Sequence, residues 1–272
     1  MIGLGIGVAW KNNNKSSGNN FDADYQAVLN YATTQGYTLP SDEQKLLQNQ
    51  LVIDLKAGGV WDKLDTFANF ATDGSSDFAL IDWKRLTQYT AVNSPAFTTN
   101  QGFKGNGASS YIDTNYIPST IGNNYQINNS SFGYWCYSLF SSGGSRINMG
   151  SRNSSSSGLT YAVGGGENSL FINTNNITNG ILSGNSSNLG LRHFNRVSSS
   201  GSSYYNSTGL VGSNTNVSFD LSNNSFFLLA LNNAGTASFF TLSDMSMAFA
   251  GTDLSSENTA LNNAFDTYLN SL

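Results

Sequence analysis

Charge is what this chain has least of. Only 29 of its 272 residues are Asp, Glu, Lys or Arg, or 11%, against roughly 25% in ordinary soluble domains. The net charge is −5 and no Lys/Arg cluster occurs, which speaks against nucleic acid as a partner, because that binding depends on a basic surface. One cysteine, Cys136, rules out an internal disulfide, and one histidine, His193, rules out a multi-histidine zinc site. Long apolar runs are missing too. The longest lead, MIGLGIGVAW at residues 1–10, has no basic flank and is far shorter than the ~20 residues of a membrane span. The expectation is a soluble polypeptide with no membrane span and no cleaved leader.

In place of charge the chain carries 37 Asn, 40 Ser and 28 Gly. Such a composition alone would suit disorder, but 17 Phe, 13 Tyr and 4 Trp supply enough apolar area to offset the entropy of folding. Residues 1–113 hold 19 charged side chains, residues 114–252 hold 7, and the last twenty hold 3. Two kinds of structure therefore meet near residues 73–113.

After a polar linker to residue 20, Phe21, Tyr25, Val28, Leu29 and Ala32 fall on one helical face, with Gly36 as the stop. Pro40, Ser41 and Gln44 form an entry turn and capping box for a second helix lined by Leu47, Leu51 and Leu55 and ended by Gly58-Gly59. Trp61, Leu64, Phe67 and Ala71 predict a third helix over 60–71. From Asp73 the period changes: 78–83 reads as a strand, and short aromatic or β-branched segments then alternate with Ser/Asn/Gly turns. The candidate strands are 131–140, 146–149, 159–163, 169–173, 190–197, 203–206, 217–221, 226–231 and 238–250. Segment 132–140 is apolar on both parities, as a central strand would be. In 238–250, Phe239, Met245, Met247 and Phe249 share one parity while Asp244 and Ser246 hold the other, as in a half-buried strand. Leu254–Glu257 starts a last helix whose apolar face is Leu261, Ala264, Phe265, Tyr268, Leu269 and Leu272, which must dock on what precedes it. So many short strands predict a sandwich or jelly roll.

The elements DWK, NSPAFTTNQGFKGNG and SYIDTNYIPS within residues 77–119, followed by SSFGYWCYS, LGLRHFNRVSSSGSSYYNSTG and SMAFAGTDLSSENTALNNAFDTYLNSL, resemble concanavalin A-like, laminin-G-like jelly rolls in structural proteins of bacteriophages infecting Bacteroidetes-type bacteria. The expected fold is mainly β: a laminin-G-like (concanavalin A-like) β-sandwich jelly roll with an N-terminal helical region and a C-terminal helix. The organisation is then an apolar segment and linker (1–20), a helical attachment region (21–76) and the sandwich (77–272) closed by helix 254–272. The resemblance does not extend to residues 1–76.

Hydrolases of this fold carry two carboxylates in an E-x-D-x-x-E pattern, as glycoside cleavage requires. Here Glu167, Asp220 and Asp244 are the only acids between 114 and 252, and no two are close in sequence. Glu167 reads as a solvated turn residue and Asp244 as an outward strand residue. His193, between Arg192 and Arg196, reads as a strand histidine, and no G-x-S-x-G elbow accompanies it. GLGIG near the start and GGG at 164–166 lack the G-K-[ST] that would make them phosphate loops. Laminin-G-like domains often bind calcium at a loop rim, for which Asp113 is the nearest candidate, although an Asp beside Thr and Asn also forms turns. Tyr134, Trp135, Tyr137, Tyr204 and Tyr205 are available to a glycan cleft if exposed, and otherwise belong to the core. The Asn-x-Ser sequons are expected by chance in such a composition.

These readings lead to a non-enzymatic virion protein: a fibre, spike or capsid decoration subunit on the particle exterior. It would attach to other virion proteins through its N-terminal region, present a sandwich able to bind host-surface glycan, and form the homo-oligomer usual in that class. The alternatives are a lectin-like glycan-binding module outside a virion and, with few acids to support it, a polysaccharide hydrolase or lyase.

Overall fold

A computed structural model describes residues 21–138, 146–164, 170–174 and 189–272. Residues 1–20, Gly165 and Gly166 of the triglycine, and Glu167 lie outside this set. Helices α1 (Ala23–Gln35) and α2 (Asp42–Ala57) form as their spacing predicts. Asp22 caps α1 by accepting the Asp24 N–H at 3.0 Å, and Ser41 caps α2 by accepting the Gln44 N–H at 3.3 Å. The capping box is only half made. The Gln44 side chain turns away to donate to Asn100 Oδ1 at 2.7 Å and to accept from Thr72 Oγ1 at 3.0 Å.

The predicted third helix is instead a 3-10 turn (Trp61–Lys63) and a strand, β1 (Leu64–Asn69). Leu64, Thr66, Phe67, Ala68 and Asn69 are all buried, and a strand covered on both faces loses the alternation that distinguishes it from a helix. The predicted strand at 78–83 is corrected likewise. Ser75 caps a short helix α3 (Ser76–Ala79) by accepting the Phe78 N–H at 3.2 Å, and only β2 (Ile81–Asp82) follows.

The remaining strands are β3 (Thr87–Gln88), β4 (Thr90–Val92), β5 (Ala96–Thr98), β6 (Gly102–Lys104), β7 (Tyr111–Asp113), then after α4 (Pro118–Ile121) β8 (Ser130–Cys136), β9 (Arg146–Arg152), β10 (Leu159–Gly164) and β11 (Leu170–Thr174). They continue as β12 (Gly190–Ser198), β13 (Gly201–Asn206), β14 (Gly209–Asn214), β15 (Phe227–Leu228), β16 (Leu231–Asn233), β17 (Thr236–Ser238) and β18 (Asp244–Gly251), before α5 (Asn258–Leu269). The strand expected at 217–221 is a loop, and β3 to β7 and β14 lie outside every candidate strand.

Two large sheets result, in the orders β14-β13-β12-β8-β18-β6-β5 and β11-β10-β9-β15-β7-β4, beside a two-stranded β2-β3 sheet. In the first, β18 pairs with β6 through Asp244 and Met245 and with β1 from Met247 to Gly251. In the second, β16 lies parallel to β9. Between the sheets, Phe132, Tyr134, Phe194 and Met245 of the first meet Ile112, Met149 and Leu228 of the second. On the outer face of the first sheet, Leu64, Phe67, Leu191, Met247 and Phe249 pack against Tyr25, Val28, Leu51, Leu55, Leu261 and Phe265. The molecule thus has three layers, helices on sheet on sheet.

Strand β18 is buried on both faces rather than one. Ser246, expected outward, is buried and donates to Gln101 O at 2.7 Å. A register irregularity between Met245 and Met247 separates residues that the simple alternation puts together: Met245 enters the inter-sheet core, while Met247 and Phe249 lie under the helices. Phe239 is outside the strand and exposed. Beneath Phe249 the central strand β8 carries Gly133, where a β-carbon would stand 2.5 Å from both Phe249 Cζ and Arg192 O. Helix α5 docks as its apolar face predicts, except that Leu272 stays exposed. It begins at Asn258, after a 3-10 turn (Ser255–Glu257) whose Glu257 pairs with Lys63 at 2.7 Å instead of serving as a cap.

Candidate functional site

The acids serve separate places. Asp220 accepts from Ser157 Oγ and from the Gly158 N–H at 2.5 Å, clasping the β9–β10 turn. Asp244 accepts from Ser138 Oγ and lies 3.5 Å from Lys104 Nζ. They share no partner. Asp113 accepts the Asn115 N–H at 2.8 Å, the bond of a turn former. Among the described residues no group of three or more His, Cys, Asp or Glu comes together to hold a metal ion. Cys136 is buried, and burial pushes its thiol up to about 12.

His193 is fully buried under α5, with its ring stacked on Tyr205 at 5.1 Å. Asn195 Nδ2 donates to His193 Nδ1 at 3.0 Å, and His193 Nε2 faces Asn258 Oδ1 at 2.6 Å, which fits a neutral ring protonated on Nε2. Asn195 Oδ1 accepts the Leu254 N–H at 2.9 Å, so one polar chain fastens the start of α5 to the sheet. Burial lowers the His193 pKa from 6.5 to about 4. The unfolded chain therefore binds the extra proton first. Stability from this group is complete above pH 6.5 and is lost as pH falls towards 4, by about 3 kcal/mol. Denaturant midpoints measured from pH 7.5 to 4.5 should fall in the native chain and fall less in His193→Gln; equal slopes would place the sensitivity elsewhere.

The five aromatics considered for glycan contact part company. Tyr134 and Tyr204 are buried between the sheets, where Tyr134 accepts from Asn148 Nδ2 at 3.1 Å and Tyr204 stacks on Phe194 at 4.9 Å. Tyr205 is spent on His193. Trp135 and Tyr137 remain, at the end of β8, and they line an open groove of about 460 Å³ beside the last turn of α5. Its other walls include Leu189 and Gly190 at the start of β12, Ser207 in the β13–β14 turn, and Asp266 and Asn270 of α5. Trp135 is half-buried, edge-on to Phe265 at 6.2 Å, and Tyr137 is 43% exposed. Gly190 has φ of 80°, a conformation that favours glycine, and a β-carbon there would lie 3.8 Å from the Trp135 ring. Its absence leaves the indole uncovered. Among the described residues no hydrogen bond engages the Tyr137 hydroxyl, the Asp266 carboxylate or the Asn270 side-chain amide.

An apolar floor edged by a few convergent polar groups is the usual make-up of a small-molecule site. The sequence had marked Trp135 and Tyr137, though not Gly190, Ser207, Asp266 or Asn270. The last two read simply as the polar side of an amphipathic helix, and only the docking of α5 shows what they border.

No family model matches the sequence, and no curated protein matches it. Among solved structures, a mutant of Trypanosoma rangeli sialidase displaying trans-sialidase activity is similar at a TM-score of 0.52 and 11% identity, over 82% of this chain and 39% of that one. The same sialidase in complex with 2,3-difluorosialic acid aligns at 0.50 and 12% identity, over 82% and 39%. Domain 4 of an extracellular arabinanase from Geobacillus stearothermophilus, in complex with arabinotriose, aligns at 0.45 and 15% identity, over 74% and 98%. This chain spans well under half the length of the sialidase chains it matches. No helix among the described residues is long and apolar enough to cross a membrane. The likeness to the sialidase chains is one of fold: the chain is a mainly β sandwich with helices at both ends.

Proposed function

We propose that this chain is a non-enzymatic glycan-binding sandwich carried on the exterior of a bacteriophage particle, as a fibre, spike or decoration subunit. The observation that carries the binding half is the groove at Trp135 and Tyr137. An aromatic pair whose indole is left uncovered by Gly190, with a carboxylate, an amide and hydroxyls at its rim that no described residue engages, suits the C–H faces and hydroxyls of a sugar. The separate, locally engaged positions of Asp220 and Asp244 support a binding role over a hydrolytic one, which needs two carboxylates across one cleft. The virion half rests on the resemblance of residues 77–272 to phage jelly rolls, with residues 21–76 and the segment before them as the side that meets other virion proteins.

Two measurements test the two halves. Saturable binding of the full chain to host-surface polysaccharide should weaken about tenfold or more in Tyr137→Ala, the loss of roughly 1.4 kcal/mol of contact, at unchanged melting temperature. A folded sample that binds nothing on a broad glycan array overturns the binding half. Mass spectrometry of purified particles should find the chain, and particles lacking it overturn the virion half.

A further inference from the structure

Among the described residues the groove is lined by one charged side chain, and its sign is negative. Asp266 is exposed, and among the described residues its carboxylate has no hydrogen-bond partner and no Lys, Arg or His shares the lining. Asp266 is also badly placed for its own helix. It sits in the last turn of α5, where the helix macrodipole disfavours an acid, so helix stability gives no reason for a carboxylate there. Asn270, one turn on, donates its backbone N–H to Asp266 O at 2.9 Å, and its side chain stays available beside the carboxylate.

We infer that this groove selects uncharged sugars and turns anionic ones away, with Asp266 as the specificity-determining residue; the inference rests on the glycan-binding reading above. A carboxylate accepts hydroxyl donors and cannot donate to an acid, whereas the Asn270 amide both donates and accepts. A sialic acid or uronate seated on Trp135 would bring a second negative charge beside Asp266, and repulsion at that range in a half-exposed site amounts to about a tenfold loss of affinity.

The test is calorimetric titration of the full chain with neutral oligosaccharides of hexose and N-acetylhexosamine, and with sialylated and uronate-containing counterparts of equal length. Neutral ligands should bind about tenfold tighter or more. Asp266→Asn should narrow that gap to about threefold or less without lowering the melting temperature, and 0.5 M salt should narrow it in the native chain, since the exposed charges are then screened. Equal or tighter binding of the anionic set, or a gap indifferent to Asp266→Asn, overturns the selectivity while leaving glycan binding intact. Binding of neither set overturns the glycan-binding reading and this inference with it.

Discussion

Asp82→Ala should cost about 3–5 kcal/mol, enough to leave the chain at the edge of unfolding given total stabilities of roughly 5–15 kcal/mol. Asp82 is fully buried at the end of β2 and serves three pieces of chain at once. Its carboxylate accepts from Thr66 Oγ1 at 2.6 Å and the Phe67 N–H at 3.3 Å on β1, and from the N–H groups of Lys84 at 2.9 Å and Arg85 at 3.2 Å in the following turn. The Arg85 side chain closes the ion pair through Nε at 2.5 Å and reaches on to Thr114 O at 2.6 Å and Asn115 O at 3.0 Å. Removing the carboxylate leaves a largely buried cation and several donors without their acceptor, and each orphaned group carries its full desolvation cost. Urea titrations should show the midpoint collapse in Asp82→Ala and a smaller loss in Asp82→Asn, which keeps one acceptor oxygen. A midpoint within experimental error of the native one would mean that Asp82 is not the fastening. This hub lies in the DWK element, residues 82–84. Trp83 is buried against Tyr25 and Phe67, and Lys84 sits 4.6 Å over the Trp61 ring.

Phe67→Ala should cost about as much, some 3–5 kcal/mol, because it empties a fully buried ring site. Phe67 meets Trp83 at 5.4 Å, Phe265 at 5.9 Å and Trp61 at 6.0 Å, so one ring on β1 touches the N-terminal region, the DWK turn and the C-terminal helix. The helices and the first sheet share that core, and the variant should therefore unfold in a single transition at lower denaturant by fluorescence and circular dichroism alike. Two separated transitions would show helices and sandwich to be independent units, and a loss under about 1 kcal/mol would show that the site collapses around the missing ring.

The residues whose sequence pattern could be read are those buried on one face. The spacing of Tyr25, Val28, Leu29 and Ala32 is that of α1, and all four are buried on the sheet side. Strand β8 is the exception: covered on both faces, with Phe132 and Tyr134 in the inter-sheet core and Trp135 under the helices, it is still legible because apolar residues fill both parities. Misreadings gather where burial is complete. In β1 Leu64 and Phe67, with Trp61 and Ala71 on either side, satisfy a helical period by chance, since a strand covered on both sides imposes no alternation. In β18 the irregularity at Met245 shifts the parity midway, an event that no residue type announces.

The candidate site divides in the same way. Composition and aromatic content implied a folded, weakly charged protein and the many short strands a sandwich, and the aromatic character of Trp135 and Tyr137 was visible in the letters, though inside a strand expected to run from 131 to 140. Which aromatics stay open was decided by pairing: β12 and β18 bury Tyr134 inward, His193 claims Tyr205, and Arg192 donates to Tyr204. Asp266 and Asn270 join Trp135 only because α5 folds back across the first sheet, more than a hundred residues along the chain. Local periodicity marks a segment as apolar and, where one face stays open, which face is buried, and that much is written in the letters. What it is buried against, and therefore which polar groups converge at its end, depends on contacts between distant elements, and these only the tertiary structure supplies.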